Sequence, residues 1–435
     1  MKTYLIDTPP PTISGELHIG HIFSYTQGDI IANYHKYKGE KLIYPFCFDC
    51  NGLPTQKLAN NKKIKLTEDI IKFSEIKGAG YLDTFENCGI KFSKDRYHTF
   101  DDNSINIAYQ AFEILKNKGI AYKKETEFFW CPIQKCSISQ SELDDDGRIE
   151  KTKEFPIIKK DWGWFIDIKN HINEIREKIH QINWKPDKFK IRCLNWCDEI
   201  KWDWSISRQR SFGIPIPGES DMTFDTWFIS ALSPSLAFGD INAPIFDIRF
   251  QSHDIIRTWA FYTICMSYFL HNQIPWNTIM ISGHTLDKDG DKFSKSSGNA
   301  ISPIIFLTKY GKSGIRHWTS SSTLGNDIKI DENEMKMGWR MQNKFINAKK
   351  FIQMQIDNGW IGEDSSLIND YNDSKLKILN HFENFEIDKA SGEIYNFFWN
   401  IFCSDWIERS KSKSISITLE SIIDDFEPIF KIIYD

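Results

Sequence analysis

The pattern of apolar residues predicts alternating strands and helices in the first part of the chain. Two short apolar runs, residues 3–6 and 41–46, predict strands, and the pattern of residues 21–38 between them predicts a helix. A strand, a crossover helix and a second strand form the βαβ unit of a parallel sheet. Further strands predicted at residues 245–250 and 278–282 favour a doubly wound parallel α/β sheet built from two parts of the chain.

From residue 334 onward the pattern is helical. Apolar residues recur there at the spacing of one helix face turned towards a core, which packing alone explains. The clearest run predicts a buried bundle helix and consists of Ala390, Ile394, Phe397, Phe398, Ile401 and Phe402.

These patterns predict four units along the chain. The first and third would form the two halves of a nucleotide-type α/β sheet, the second a short connecting insertion with a helix at residues 171–182, and the fourth a helical bundle. A Gly- and Ser-rich link is expected at residues 309–325, ahead of the bundle. The units are residues 1–127, 128–204, 205–333 and 334–435.

Candidate chemistry begins with His18-Ile19-Gly20-His21, which follows the first predicted strand and opens the first predicted helix. In that position backbone N–H groups and the helix dipole favour a triphosphate. The imidazoles would donate to phosphate oxygens as pyrophosphate leaves, and Gly20 leaves room for a nucleotide against the backbone. Lys292-Phe293-Ser294-Lys295-Ser296 supplies cations for the same phosphates. Together the two segments predict a site for adenylate formation.

Each segment alone has a plainer explanation, a surface turn for the first and a solvated loop for the second. The pair is more specific because of its order and its flanks. Thr8-Pro9-Pro10-Pro11 precedes the histidines, and Gly298-Asn299 follows the lysines. Coincidence is a poor explanation for the whole combination.

The two segments resemble the HIGH and KMSKS motifs of class I aminoacyl-tRNA synthetases, with Phe293 in the place of the family's Met. Four further blocks narrow the resemblance to valyl-tRNA synthetases of the type seen in archaea, and the similarity extends with gaps from Thr8 to Ile407. The blocks are Phe48-Asp49-Cys50-Asn51-Gly52-Leu53-Pro54-Thr55, Asp203-Trp204-Ser205-Ile206-Ser207-Arg208-Gln209-Arg210, Phe224-Asp225-Thr226-Trp227 and His253-Asp254-Ile255-Ile256-Arg257-Thr258-Trp259.

This resemblance implies a Rossmann-like catalytic domain that activates an amino acid with ATP and Mg²⁺ and transfers it to tRNA. In its terms the catalytic residues are His18, His21, Lys292 and Lys295. The ATP-binding residues are these four together with Thr12, Gly20, Asp254, Ser294 and Ser296, among which Asp254 lies in the block that contacts the ribose.

The amino-acid pocket is expected from residue chemistry and from the same blocks. Asp49 is the carboxylate that would bind the substrate ammonium group. Trp227 and Trp259 would form apolar walls, and Pro10 and Ile255 would limit the depth to a short β-branched side chain such as that of valine. Ordinary core packing is the alternative for each tryptophan, since the chain has 15.

Two features of the resembled family have no counterpart in this sequence. The first is the editing domain, because only residues 137–202 stand where the family inserts it. The second is the rest of the helical bundle, which ends at Asp435 and so puts anticodon contact in doubt. A pocket that accepts valine rejects threonine poorly, by about 10², a value already documented for valyl enzymes themselves. Either another protein then hydrolyses the products that carry threonine in place of valine, or the activated amino acid is not used for bulk translation.

Composition and charge are typical of a cytoplasmic enzyme. A chain of 435 residues needs more than one core, and a net charge of −5 leaves nucleic-acid contact to local basic patches. The basic clusters at residues 57–65 and 185–192 are equally well explained as solvated faces. We expect no signal peptide and no membrane span, because residues 1–6 pass at once into Asp7 and prolines and the apolar run 259–270 is short.

The 9 cysteines, an odd number without disulfide spacing, suit a reducing compartment. Cys131, Cys136, Cys193 and Cys197 could together hold one zinc ion, although their spacing is looser than that of zinc knuckles. The alternative is that they are small buried side chains.

Three functions remain open. The first is a compact valine–tRNA ligase without editing, acting as a monomer. The second is a paralogue that passes the activated amino acid to a non-translational acceptor, in a natural-product or modification pathway. The third is a non-catalytic remnant that binds tRNA, which the intact histidines, lysines and Asp49 argue against.

Overall fold

The computed structural model describes most of the chain. The described residues are 2–14, 16–52, 55–56, 58–59, 68–133, 136–138, 143–144, 146–149, 152–209, 212–287, 290–291, 293 and 301–435.

Strands are concentrated before residue 330 and helices after it. The strands are β1 (Thr3–Asp7), β2 (Lys41–Ile43), β3 (Pro45–Phe48), β4 (Ser93–His98), β5 (Ala121–Cys131), β6 (Cys136–Ile138), β7 (Ile157–Ile166), β8 (Asn183–Lys185), β9 (Trp204–Ser205), β10 (Ser207–Arg208), β11 (Thr223–Phe224), β12 (Phe246–Ser252), β13 (Trp276–Ser282), β14 (Thr285–Leu286) and β15 (Ile328–Lys329). The α-helices are α1 (Ile19–Tyr37), α2 (Glu68–Asn87), α3 (Asp102–Asn117), α4 (Ile172–Gln181), α5 (Lys188–Glu199), α6 (Thr226–Ser230), α7 (Ser233–Phe238), α8 (Phe261–His271), α9 (Pro303–Ser320), α10 (Glu332–Asp357), α11 (Ser366–Glu383), α12 (Ile387–Tyr395), α13 (Ile407–Ser410) and α14 (Ser416–Tyr434). Short 3-10 helices lie at Lys169–His171 and His253–Ile255, and π-helical segments at Ile256–Ala260 and Asn396–Trp406.

A five-stranded parallel sheet lies at the centre of the fold, in the order β2-β1-β12-β13-β8. The chain passes from β1 to β2 on one side and from β12 to β13 on the other, so the strand order reverses between β1 and β12. Ligands of open α/β sheets bind at such a switch point, outside the carboxyl ends of the strands. The predicted doubly wound α/β fold is confirmed, and the switch point indicates where its site lies.

Helix α1 crosses from β1 to β2 and packs on the sheet. Its residues Ile22, Ile30 and Ile31 are buried in the core. The contact is closest at Gly28, where an added Cβ would lie 2.5 Å from the ring of Phe250 in β12. Because no larger residue fits there, glycine at this position allows α1 to lie directly against β12.

Two smaller sheets complete this part of the chain. β3 and β4 form a parallel pair, and the order β6-β5-β7-β9 forms an antiparallel sheet in the expected connecting insertion. The helix predicted at residues 171–182 is α4. The single run predicted at residues 41–46 is two strands, because the chain leaves the central sheet at Tyr44 and then pairs with β4.

Helices α10 to α14 form the carboxyl-terminal bundle. Their apolar core is continuous with one face of the central sheet, since Ile6 and Ile248 of the sheet belong to the same cluster as Phe398 and Phe426 of the bundle. The predicted bundle helix is present over α12 and the π-helical segment that follows it, and its aromatic residues are buried. The helical carboxyl-terminal region expected from the sequence is therefore confirmed.

The Gly- and Ser-rich link expected at residues 309–325 is wrong over most of its length, because residues 309–320 belong to α9. Ile315 and Trp318 are fully buried, and packing of these side chains outweighs the weak helix propensity of the serines around them. Gly311, with φ of 63°, interrupts the helical geometry inside α9. The glycine signal thus marks a kink within a helix.

The four units expected from the sequence remain a prediction. Their border at residues 127 and 128 falls inside β5, and the border at 204 and 205 falls inside β9. In the described part of the chain, every helix is too short or too polar to cross a bilayer.

Candidate active site

A cavity of about 300 Å³ opens at the carboxyl edge of the central sheet, at the switch point between β1 and β12. Its walls come from the segments that leave three neighbouring strands, residues 8–12 after β1, 250–255 around the end of β12 and 283–285 after β13. The beginning of α1 and Trp227 of α6 close it. The cavity size is that of a small ligand pocket.

The predicted phosphate-binding histidines cap the beginning of α1. Nδ1 of His18 accepts a hydrogen bond from the backbone N–H of Gly20 at 3.2 Å, and Nδ1 of His21 accepts one from the backbone N–H of His18 at 3.2 Å. Their ring centroids lie 3.9 Å apart, and both rings line the cavity. Because each Nδ1 is an acceptor, each neutral ring carries its proton at Nε2. The pair therefore presents two N–H donors at the positive end of a helix dipole.

Gly20 permits a close contact that its position in the sequence did not indicate. An added Cβ would lie 2.7 Å from Oγ1 of Thr285 and 3.0 Å from the ring of His18. The space beside Gly20 is thus occupied by protein atoms. Glycine here allows α1 to pack closely against Thr285 of the segment after β13, and both residues line the cavity.

Asp254, expected near the ribose, lines the mouth of the cavity and is exposed. Its Oδ1 accepts a hydrogen bond of 2.6 Å from the hydroxyl of Ser252, the last residue of β12. Thr12 also lines the cavity, and its backbone pairs with that of Asp49 as an isolated parallel bridge.

The expected apolar walls are brought together on one side of the cavity. The rings of Trp227 and Trp259 meet edge to face, with centroids 5.4 Å apart and an interplanar angle of 88°. Pro10 and Ile255 line the same cavity. The indole N–H of Trp259 donates to the carbonyl oxygen of Ser230 at 2.8 Å, so this ring has a fixed edge.

Asp49 is not among the residues that line the cavity, but it is connected through Ser230 to Trp259 of this wall. Its side chain is buried and accepts hydrogen bonds from the backbone N–H of Asn51 at 2.9 Å and from the hydroxyls of Thr99 at 3.1 Å and Ser230 at 3.4 Å. Burial raises the pKa of Asp49 to about 7, although the three hydrogen bonds oppose the shift. The expected contact with an ammonium group stays a prediction.

Lys292, Ser294, Lys295 and Ser296 lie outside the described residues. Two described residues, Phe293 within this segment and Ile301 after it, are in contact with the beginning of α1. The backbone N–H of Ile19 donates to the carbonyl oxygen of Ile301 at 3.0 Å, and Phe293 is buried beside Ile22 and Phe23. Phe293 also lines the cavity.

The structure separates the cysteines considered for zinc. Cys131 pairs in register with Cys136 and packs in a small cluster with Ile138, whereas Cys193 and Cys197 pack in the largest apolar core. Burial raises the pKa of Cys197 to about 11, which keeps this thiol protonated. Over the described residues, no group of three or more potential metal ligands forms. Cys131, Cys193 and Cys197 are buried, as that alternative expects, and the zinc site stays a prediction.

Sequence reasoning missed the residues that follow β13. Gly283, His284 and Thr285 line the cavity, and His284 lies 3.9 Å from His253, ring centroid to ring centroid. Asp327 accepts hydrogen bonds from the backbone N–H of His284 at 2.7 Å and pairs with Nε2 of His253 at 3.2 Å. These residues directly follow a predicted strand of a parallel sheet, and that placement is a signal which could have identified them.

Comparisons with known families agree with this arrangement. The family described as tRNA synthetases class I (I, L, M and V) matches residues 1–218 and 218–331. The family described as anticodon-binding domain of tRNA ligase matches residues 364–430.

Curated relatives include valine–tRNA ligases of bacteria. The ligase of Rickettsia rickettsii (strain Sheila Smith) is 27% identical over 646 aligned positions, covering 95% of this chain and 79% of the relative. That of Ehrlichia canis (strain Jake) is 28% identical, covering 94% of this chain and 77% of the relative. Because 646 aligned positions exceed the 435 residues of the chain, a large part of the relative has no counterpart here. The archaeal affinity expected from the sequence stays a prediction.

Solved structures share the fold. A methionyl-tRNA synthetase of Mycobacterium tuberculosis in complex with methionyl-adenylate has a TM-score of 0.81 at 17% identity, covering 100% of this chain and 92% of that one. The LeuRS of Agrobacterium radiobacter K84, in a ternary complex with tRNA and LeuAMS, has a TM-score of 0.81 at 14% identity, covering 99% and 84%. At these identities the likeness concerns the fold alone.

Proposed function

The chain belongs to the class I tRNA synthetases, and from this membership we propose that it activates a small apolar amino acid with ATP, valine first, and transfers it to tRNA. The observation that carries the proposal is the convergence of two kinds of group on one cavity. The donors of His18 and His21 lie at the positive end of α1, and the indoles of Trp227 and Trp259 form an apolar wall of the same cavity.

The chemistry needs no protein nucleophile. The carboxylate of the amino acid attacks the α-phosphorus of ATP, a P–O bond breaks, and pyrophosphate leaves with its charge. Catalysis then consists of positioning and of stabilising that charge. We assign the Nε2–H donors of His18 and His21 to phosphate oxygens, and Lys292 and Lys295 to the departing pyrophosphate. Mg²⁺ would enter with ATP, and we assign it no protein ligand.

Valine is proposed from two observations. The relatives named above are valine–tRNA ligases, and the wall of Trp227, Trp259, Pro10 and Ile255 bounds an apolar space suited to a short side chain. Asp49 would accept the ammonium group once the substrate enters. Its carboxyl is close to the apolar wall, because Ser230 is hydrogen-bonded both to Asp49 and to Trp259.

Transfer to tRNA is proposed from the bundle. Residues 364–430 match an anticodon-binding family, and these residues form α11 to α14, which share one core with the catalytic sheet. This match favours a tRNA acceptor over the non-translational acceptor considered above. It also supports an anticodon contact that the sequence alone put in doubt.

The test is amino-acid-dependent exchange of pyrophosphate into ATP, followed by aminoacylation of total tRNA. We expect exchange with valine, weaker exchange with threonine by about 10², the value documented for valyl enzymes, and charging of valine tRNA. Exchange without charging would point to another acceptor. Exchange with methionine or leucine but not valine would reject the specificity, and no exchange with any amino acid would reject the enzyme.

A further inference from the structure

A buried ion pair lies beneath the apolar wall of the cavity. Asp7 ends β1, and Arg249 is its register partner in the neighbouring strand β12. Nη1 of Arg249 donates to Oδ2 of Asp7 at 2.7 Å, and both side chains are completely buried. Neither residue lines the cavity, and nothing in the proposed chemistry uses them.

The ion pair contacts the indole rings of two tryptophans, Trp259 and Trp276. The guanidinium carbon of Arg249 lies 5.6 Å from the ring centroid of Trp259 and 4.7 Å from that of Trp276. The indole N–H of Trp276 donates to Oδ2 of Asp7 at 2.7 Å, and the hydroxyl of Ser233 donates to the same atom at 3.1 Å. A cation within about 6 Å of an indole centroid attracts the ring face, most strongly where water is excluded.

Stability alone does not account for this pair. A buried ion pair is often replaced by apolar residues without loss of stability, because removing the charges from water costs as much as their attraction returns. Among the residues that the structure describes, Oδ1 of Asp7 and Nη2 of Arg249 are buried and have no hydrogen-bond partner, which adds a further cost. A role in shaping the cavity would explain why an ion pair that costs free energy to bury lies against the cavity wall.

We propose that Arg249 is a positioning residue that orients the ring of Trp259 and so sets the selectivity of the amino-acid pocket. The indole N–H of Trp259 is hydrogen-bonded to the carbonyl oxygen of Ser230, and the ring face contacts the guanidinium group of Arg249. With these two contacts the indole stands edge to face with Trp227, at an interplanar angle of 88°. The inference rests on the proposed function, because it names the part of that site which reads the side chain of the substrate.

A second buried pair provides a matched control. Nη1 of Arg316 donates to Oδ2 of Asp29 at 2.7 Å, and these side chains are buried to the same degree as Arg249 and Asp7. Arg316 also donates to the carbonyl oxygens of Gly89 and Ile432, away from the cavity lining. R249K and R316K both keep the charge and lose the planar fork, so they should cost similar stability.

The experiment compares these variants in pyrophosphate exchange. For R249K we expect the KM for valine to rise about tenfold, the KM for ATP to stay within about twofold, and the preference for valine over isoleucine to fall. For R316K we expect no change in these three quantities. Equal effects in both variants, or an equal rise of both KM values in R249K, would overturn the proposal.

A second measurement does not need activity. In protein labelled with 5-fluorotryptophan, the fluorine signal of Trp259 is the one that disappears in W259F. We expect R249K to shift or broaden this signal and R316K to leave it in place. An unmoved signal in R249K would overturn the positioning role. If the wild type shows no exchange, the proposed function fails, and the fluorine signal still decides whether Arg249 orients the ring.

Discussion

Trp259 donates its indole N–H to the carbonyl oxygen of Ser230 at 2.8 Å, and through this serine the cavity wall is joined to a buried carboxyl group. The hydroxyl of Ser230 donates to Oδ2 of Asp49 at 3.4 Å. A shift of the ring would therefore disturb the hydrogen bonds of the carboxyl group.

The first prediction concerns the charge of Asp49. In D49N the amide keeps the size of the side chain but cannot bind an ammonium group as a charged acceptor. Loss of a charge-assisted hydrogen bond costs about 1.5–3 kcal/mol, so we expect the KM for the amino acid to rise roughly 10- to 100-fold. The KM for ATP in pyrophosphate exchange should stay the same. As a control, S230A removes one neutral contact to the same carboxyl and should have the smaller effect. An equal rise of both KM values in D49N would contradict the assignment.

The second prediction concerns pH and follows from the raised pKa of Asp49. Its folded pKa of about 7 lies above the unfolded value, so between the two the folded protein holds a proton that the unfolded chain has released. The free energy of unfolding should therefore fall as pH rises from about 4 to about 7 and then level off, by an amount on the order of a few kcal/mol. Binding of the ammonium group requires the carboxylate, so the KM for the amino acid should fall over the upper part of this range.

The check is a set of denaturant titrations from pH 4.5 to 8 on wild type and D49N. Other groups also titrate, but they are common to both proteins, and the difference between the two curves belongs to Asp49. Parallel curves would show that Asp49 titrates alike in the folded and unfolded chains.

The third prediction separates two roles of His18. Its Nδ1 caps α1 by accepting from the backbone N–H of Gly20, whereas its Nε2–H is the proposed phosphate donor. Asparagine is also a good N-cap residue, so H18N should keep the stability of the wild type, while H18A should lose about 1 kcal/mol. Both variants should lose adenylate formation by about tenfold or more, because the donor is absent. Melting temperature and exchange rate report the two roles, and an active H18N would remove His18 from the chemistry.

Local patterns were sufficient to predict the first strand, α1 and the bundle helix. In each case the signal lies within a short stretch of sequence. It is the apolar run for β1, the histidine segment for α1, and the aromatic face around Phe398 for the bundle helix. The same βαβ pattern placed the histidine segment between β1 and α1, where the structure has it. This much of the fold and site is encoded locally.

What the sequence did not indicate depends on contacts between distant segments. Arg249 and Asp7 become neighbours only through the register of β1 with β12, which no short window contains. The helix at residues 309–320 was hidden because burial of Trp318 outweighs the local glycine and serine signal. The hydrogen bond between Asp49 and Ser230 joins residues 181 positions apart, which no local pattern contains.

The last prediction concerns the contact between Gly20 and Thr285. In G20A the new Cβ would lie 2.7 Å from Oγ1 of Thr285, closer than packed atoms tolerate, so the Thr285 side chain must turn away or α1 must shift. Because His18 caps α1 directly beside this contact, we expect the KM for ATP to rise about tenfold, with little change in the KM for the amino acid. T285A alone removes the hydroxyl and should be mild. The double variant G20A/T285A should recover most of the loss, because the added methyl group then occupies the space that the hydroxyl has left. A double-mutant cycle on the KM for ATP measures this recovery as a coupling energy. If the losses of G20A and T285A simply add, the two residues act independently, and the tight approach of α1 to the segment after β13 does not shape the nucleotide site.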